Sequence, residues 1–131
     1  MTTSLNSLDR ISFTNFSIQI LEPGYYEIFV NENVEFSVDD FQQLLESQKK
    51  LGGKQLPVLI MCSHHVSTDI ELLKSLSKNA NNPFTKADAF VITSMAQRIL
   101  GNFYVKINKP ERPTKLFSDK SEALGWLKQF L

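Results

Sequence analysis

The only cysteine and both histidines of this 131-residue chain fall within seven residues, 62–68, together with three hydroxyl side chains. A thiol beside an imidazole is the pair from which a cysteine nucleophile is built. Hydroxyls at the start of a helix lie where free backbone amides favour a phosphate. This segment is therefore the first candidate for catalysis, metal binding or phosphorylation.

Cys62 and the adjacent pair His64 and His65 make a weak catalytic or metal-binding pattern. Neighbouring side chains point in different directions in most conformations, and a structural zinc site takes four ligands, usually at repeated spacings that this sequence lacks. A catalytic thiol also needs an oriented base and an oxyanion donor, and neither is visible here. We expect Cys62 to be a buried packing residue. We predict no catalytic residue, metal, cofactor or enzymatic activity.

Three hydroxyl residues, Ser63, Ser67 and Thr68, precede a predicted helix and are candidate phosphorylation sites. The dipole and free amides of a helix start favour an anion there. A structural explanation competes, because Thr68 and Glu71 have the spacing of a capping box, in which each side chain bonds a free amide of the first turn. Both interpretations are open from the sequence.

Two patterns predict the strands. Period-two alternation on either side of Pro23-Gly24 is typical of an antiparallel hairpin joined by a tight turn. The continuous apolar run Leu56–Cys62 predicts a strand covered on both faces, as in a parallel sheet, and Ala87–Ile92 is predicted as a second buried strand. With helical spacing between the runs, the predicted order is β-β-α-β-α-β-α-β-α. This is a mixed α/β sheet with helices packed on it, as one domain over residues 12–131 after a mobile tail, 1–11.

The helix predicted after the second buried strand has an excess of apolar residues. Eight of the thirteen residues 95–107 are apolar, which is more than one buried helix face needs. The excess either covers the sheet or extends to a partner surface; we favour a partner surface, of which a homodimer is the simplest form. The surface consists of four residues spaced four apart: Met95, Ile99, Phe103 and Ile107.

Four basic residues on and after this helix are a candidate patch for an anion or an acidic partner, or are simply a solvated edge: Lys106, Lys109, Arg112 and Lys115. Charge is uneven along the chain, since seven acids and no Lys or Arg lie between Arg10 and Lys49. Such asymmetry bears on association rather than on fold.

Composition narrows the function classes. The formal net charge is zero, which argues against nucleic-acid binding. No apolar stretch approaches the roughly 20 residues that span a bilayer, so we expect no membrane insertion. One cysteine and an N-terminus without a leader pattern favour the cytoplasm.

Short motifs in the C-terminal third carry a family resemblance: Ala89–Ile92, Ala96–Arg98, Asn102–Tyr104, Pro113–Phe117, Glu122-Ala123 and Trp126-Leu127. With the element order, they make residues 12–131 resemble the SpoIIAA-like proteins, a branch of the STAS fold group. The resemblance implies that fold and a regulatory or protein-interaction role. It also admits a small apolar ligand, because related sequences are grouped with lipid-transfer domains.

The best understood STAS proteins are anti-sigma-factor antagonists, in which a serine of an Asp-x-Ser-Gly motif is phosphorylated at a helix start. The matching segment here, Cys62–Asp69, has hydroxyls but lacks the leading Asp and the Gly. No single serine is therefore carried over, and the phosphorylation switch is the third hypothesis after the interaction module and the apolar-ligand module.

Overall fold

A computed structural model describes residues 10–131, which form a six-stranded mixed sheet with helices on both faces. The sheet order is β1-β2-β3-β5-β7-β8, antiparallel from β1 to β3 and parallel from β3 to β8. Two short strands, β4 and β6, pair with each other outside this sheet. The strands are β1 Arg10–Ser12, β2 Phe16–Leu21, β3 Tyr25–Val30, β4 Glu35–Phe36, β5 Leu56–Cys62, β6 Ser67–Thr68, β7 Thr85–Val91 and β8 Thr114–Phe117.

Four α-helices connect or follow the parallel strands. They are α1 Val38–Lys50, α2 Ile70–Leu76, α3 Met95–Phe103 and α4 Lys120–Leu127. A π-helical segment, Tyr104–Asn108, continues α3, and short 3-10 turns lie at Asn79–Asn81 and Lys128–Phe130. Among residues 10–131, no helix is long and apolar enough to cross a membrane.

The predicted fold class and element order are confirmed, while three short strands were not predicted. Arg10 and Ile11 were predicted as part of the mobile tail, but they lie in one of these strands, β1, and pair with β2. The rest of that tail, residues 1–9, lies outside the described residues. Strands of two or three residues are too short to show a period-two pattern.

Side-chain alternation along the buried strands divides the interior into two cores. On β5, Val58 packs in the core beneath α1 and α2, whereas Leu59 packs in the core beneath α4. Both residues are almost fully buried. Because β5 is covered on both faces, it reads as one continuous apolar run, as the sequence predicted.

The start of α2 differs from the predicted capping box. Asp69 is the N-cap, and its Oδ1 accepts hydrogen bonds from the amides of Glu71 at 2.6 Å and Leu72 at 3.3 Å. Thr68 instead lies in β6, and its hydroxyl donates to the carbonyl oxygen of Phe36 at 2.8 Å. Pairing with β4 keeps Thr68 extended, so the helix begins one residue later than predicted.

Candidate functional site

Cys62 ends β5, and His64 and His65 lie in the loop between β5 and β6. Burial raises the pKa of Cys62 to about 12, so its thiol stays protonated at neutral pH and is a poor nucleophile. His64 and His65 are exposed, with ring centroids 6.4 Å apart. Across the described residues, no three His, Cys, Asp or Glu side chains are grouped closely enough to hold a metal ion.

The three candidate phosphorylation sites differ in their surroundings. Ser67 is exposed in β6, while the Thr68 hydroxyl is engaged with Phe36. Ser63 is half-buried, and its carbonyl oxygen accepts a hydrogen bond from Gln97 at 2.7 Å. The carboxylate of Asp69 already occupies two amides at the start of α2. Phosphorylation at these positions stays a prediction.

The predicted partner surface lies on the outward side of α3. Met95, Ile99 and Ile107 are 68%, 65% and 64% exposed, and Phe103 is half-buried. We call these four residues the α3 apolar row. Large apolar side chains exposed together along one helix are typical of an interaction site rather than of a solvated surface.

The opposite side of α3 packs tightly on the sheet. A Cβ atom at Gly101 would lie 2.7 Å from Cδ1 of Leu116 on β8, so a side chain there would force Leu116 to move. Tyr104 is buried at the start of the π-helical segment, and Lys109, in the left-handed conformation at φ 53°, ends that segment. The predicted helix therefore changes hydrogen-bonding pattern after Phe103.

The predicted basic patch is wrong for two of its four residues. Arg112 is only 7% exposed and pairs with Asp88, so it is unavailable to an external anion. Lys115 shares a face of β8 with Phe117, which packs against Trp126 of α4, and its ammonium group lies 5.5 Å from the Phe117 ring centroid. Lys115 is thus on the sheet face away from α3, because alternate residues of a strand point to opposite faces.

Only Lys106 and Lys109 of the predicted patch remain exposed near the α3 apolar row. Arg98 on α3 is a further exposed basic residue near this row. The sequence between Asp88 and Glu111 contains no acid, so nothing in this segment neutralises these charges.

A buried ion pair, missed from the sequence, joins β7 to the loop before β8. The Nε of Arg112 donates to Oδ2 of Asp88 at 2.8 Å, and both side chains are 4% exposed. The same guanidinium donates to the Leu76 carbonyl oxygen at 2.9 Å, the Tyr104 hydroxyl at 3.1 Å and Oδ1 of Asn79 at 3.2 Å. The signal was Asp88 itself, since an acid inside an apolar strand needs a buried partner.

Burial shifts the pKa values of the two acidic groups that Arg112 contacts, Asp88 and Tyr104. It raises the pKa of Asp88, and the charge and hydrogen bond of Arg112 oppose that shift. Burial also raises the pKa of the Tyr104 hydroxyl, with the nearby charge of Asp88 acting in the same direction. Tyr104 is therefore a neutral donor and acceptor at physiological pH.

A cavity of about 150 Å³ lies between the sheet and the helices α1, α2 and α3. Most of its wall is apolar, including Val30, Phe36, Leu44, Val58, Ile60 and Leu73. Asp88, Tyr104 and Arg112 also line it.

Comparison with known proteins adds a family and a fold. A profile of the family described as "Domain of unknown function (DUF7793)" matches residues 22–131. The chain belongs to this family. A search of curated protein sequences finds no match. A crystal structure of an uncharacterized DUF3478-family protein from Shewanella loihica PV-4, with a SpoIIAA-like fold, is similar at a TM-score of 0.59 and 17% identity, covering 89% of this chain and 97% of that one.

The likeness confirms the SpoIIAA-like fold that the sequence predicted, and at this identity it shows the fold alone. Both features described above, the α3 apolar row and the cavity, lie within the range of the DUF7793 match. The cavity residues come from all three helices on one sheet face, so they meet only after the parallel strands have been assembled.

Proposed function

We propose that this DUF7793 domain is a non-enzymatic protein-interaction module of the STAS type, acting in the cytoplasm through the outward face of α3. The observation that carries the proposal is the exposure of the α3 apolar row, whose three outermost side chains are each about two-thirds exposed. Burying one such side chain in an interface contributes roughly 1.5–3 kcal/mol. Three together offset part of the roughly 4–15 kcal/mol that association costs.

The charges on this face indicate whether a contact between two copies would be symmetric. A symmetric homodimer through this face would bring Arg98 and Lys106 of one copy towards the same residues of the other, because a two-fold interface uses the same patch twice. Like charges facing each other disfavour association. The face therefore fits an acidic surface better than it fits itself.

The chain carries an acidic surface with exposed apolar groups at the start of α1. Glu35, Asp39 and Asp69 border one surface recess there. Val38 and Ile70, beside it in sequence, are each 53% exposed. A head-to-tail contact, in which the α3 face of one copy meets this recess of another, pairs apolar with apolar and basic with acidic groups. It is the form of self-association that we propose.

Sedimentation velocity of the full chain tests the proposal. We expect Ile99→Glu to abolish self-association while the far-UV circular dichroism spectrum is unchanged. Leu131→Glu is the matched control, since Leu131 is 50% exposed at the far end of the chain. A folded Ile99→Glu variant that associates like the wild type refutes the proposed surface.

A charge exchange separates the head-to-tail form from a symmetric one. Arg98→Glu with Lys106→Glu should weaken association, and adding Glu35→Lys with Asp39→Lys should restore it by reversing both sides. Restoration requires that the two surfaces meet. If the first pair of changes leaves association unchanged, the interface is symmetric, because the reversal replaces one set of facing like charges by another. If every variant and the wild type are monomeric, self-association is excluded.

The cavity favours a second candidate function, binding of a small apolar molecule. Its volume of about 150 Å³ matches an engineered protein cavity that binds benzene, and is below the ~300 Å³ where drug-sized pockets begin. A ring or a short chain fits better than a long fatty acyl chain. Thermal unfolding of delipidated protein with a series of such compounds tests it, and Val58→Phe, which fills the cavity, should remove any stabilisation.

A phosphorylation switch at Ser63, Ser67 or Thr68 is the third hypothesis, and Ser67 is the most accessible of the three. Intact-mass measurement of protein from its own host tests it. A phosphate increment mapped to one of these residues would support the switch, and an unmodified mass in every growth condition would count against it.

A further inference from the structure

The cavity has one polar wall, and the hydrogen bonds made there decide what it can bind. This wall consists of Asp88, Tyr104 and Arg112, all of which line the cavity. The guanidinium of Arg112 joins the other two, with its Nε on Asp88 at 2.8 Å and a terminal nitrogen on the Tyr104 hydroxyl at 3.1 Å. We call these three residues the polar wall.

Two hydrogen-bonding positions on the polar wall are unused. Asp88 accepts at Oδ2 from Arg112 and, at 3.3 Å, from the Thr114 hydroxyl. No hydrogen bond from residues 10–131 reaches its Oδ1. The Tyr104 oxygen accepts from Arg112, and within the same residues its own hydrogen has no acceptor. The wall therefore offers one acceptor and one donor.

The charge on the polar wall is already balanced. Asp88 faces Arg112 in a buried pair, so an anionic ligand would add a negative charge without a counter-charge. Removing such a charge from water is costly unless it is paired. A neutral hydroxyl avoids this and both donates and accepts, which matches the two unused positions.

We propose that the cavity binds a neutral molecule of about the size of one benzene ring that carries a single hydroxyl group. The ring fills the apolar part, and the hydroxyl donates to Oδ1 of Asp88 while accepting from the Tyr104 hydroxyl. The proposal rests on the second candidate function, binding in the cavity, and adds the chemical class of the ligand.

Titration of the full chain at pH 7 with benzene, phenol and benzoate, followed by NMR, tests the proposal. These probes share one ring and differ in the polar group, and at this pH phenol is neutral whereas benzoate is ionised. We expect phenol to bind roughly five- to a hundredfold tighter than benzene, the range that two net hydrogen bonds supply. Benzoate should bind more weakly than phenol.

Two variants assign the preference to the polar wall. Tyr104→Phe removes the donor but leaves the acceptor on Asp88, so we expect the phenol-to-benzene ratio to fall by about two- to tenfold while benzene still binds. Thr114→Val is the matched control, because it removes a hydrogen bond to Asp88 from a residue that does not line the cavity. It should keep the preference for phenol.

Each of the other outcomes contradicts a different part of the proposal. Equal binding of phenol and benzene refutes the hydroxyl class while cavity binding stands. Tightest binding by benzoate refutes the neutral ligand. Binding of no probe removes both the ligand class and the second candidate function. Should Tyr104→Phe fail to fold, the order of the three probes with the wild-type protein still decides.

Discussion

Replacing Arg112 by methionine isolates the buried charge of Asp88, and it is the sharpest test of how β7 is joined to the loop before β8. Methionine keeps most of the side-chain volume but removes all four hydrogen bonds of the guanidinium. Breaking a buried pair by removing one partner typically costs about 3–5 kcal/mol. A domain has roughly 5–15 kcal/mol in total, so the loss is a large share of the stability.

Urea unfolding followed by circular dichroism measures this loss. With a slope of about 1–3 kcal/mol per molar, the midpoint should fall by at least about 1 M. Lys120→Met is the comparison variant, since the Lys120–Glu27 pair is 49% exposed at the lysine and 13% exposed at the glutamate, so water reaches the ammonium group and the loss should be smaller than at Arg112. An Arg112→Met variant within about 1 kcal/mol of the wild type would refute the reasoning.

The pH dependence of the stability of Arg112→Met is an independent test, because its direction follows from the pKa of Asp88. Burial raises the folded-state pKa of Asp88 above its ordinary value of 3.8, and Arg112 opposes that shift. Without Arg112 the pKa rises further, so the folded state binds a proton at a pH where the unfolded state does not. Stability then increases as the pH falls from neutral towards 3.8. The deficit of Arg112→Met should therefore shrink in acid, and Asp88→Asn with Arg112→Met should be less unstable at pH 7 than Arg112→Met alone.

Three further changes test local features. Asp69→Ala should lower the free energy of unfolding by about 1 kcal/mol and Glu71→Ala by much less, because Asp69 is the N-cap. Equal losses in urea unfolding would favour the predicted capping box instead. Cys62 should react with iodoacetamide at pH 8 at least about tenfold slower in the folded protein than in urea, because burial raises its pKa to about 12 and the greater nucleophilicity of a high-pKa thiolate offsets only part of that effect; similar rates would show an accessible thiolate. Gln97→Ala removes hydrogen bonds to the carbonyl oxygens of Ser63 and Val66, so amide exchange in that loop should accelerate, and unchanged exchange would contradict the role of Gln97.

Much of the fold could be predicted because its signals are local. The apolar run of β5, the alternation of β2 and β3 and the spacing of α3 each depend on neighbouring residues. The N-cap of α2 was predicted one residue too early, since the pairing of Thr68 with β4 joins segments 32 residues apart. Such a contact leaves no local pattern to recognise.

Arg112 was wrongly assigned to the basic patch for the same reason. Arg112 resembles its exposed neighbours in the sequence, and only the packing of β7 beside β8 brings Asp88 to it. The sequence contained one sign of this ion pair, because Asp88 is an acid between Ala87 and Ala89 in a predicted buried strand. A search for its counter-charge could have removed a basic residue from the patch, although it could not have chosen which one.

The excess of apolar residues in 95–107 has its explanation in the two sides of α3. Leu100 and Tyr104 turn inward and line the cavity, whereas Met95 and Ile99 turn outward to solvent. Composition could show that more apolar side chains were present than one buried face needs, but only the structure divides them between an internal wall and an external surface. Because the same helix forms both, a change to its outward residues can be tested for partner binding without altering the cavity, and the polar wall can be tested without touching the outward face.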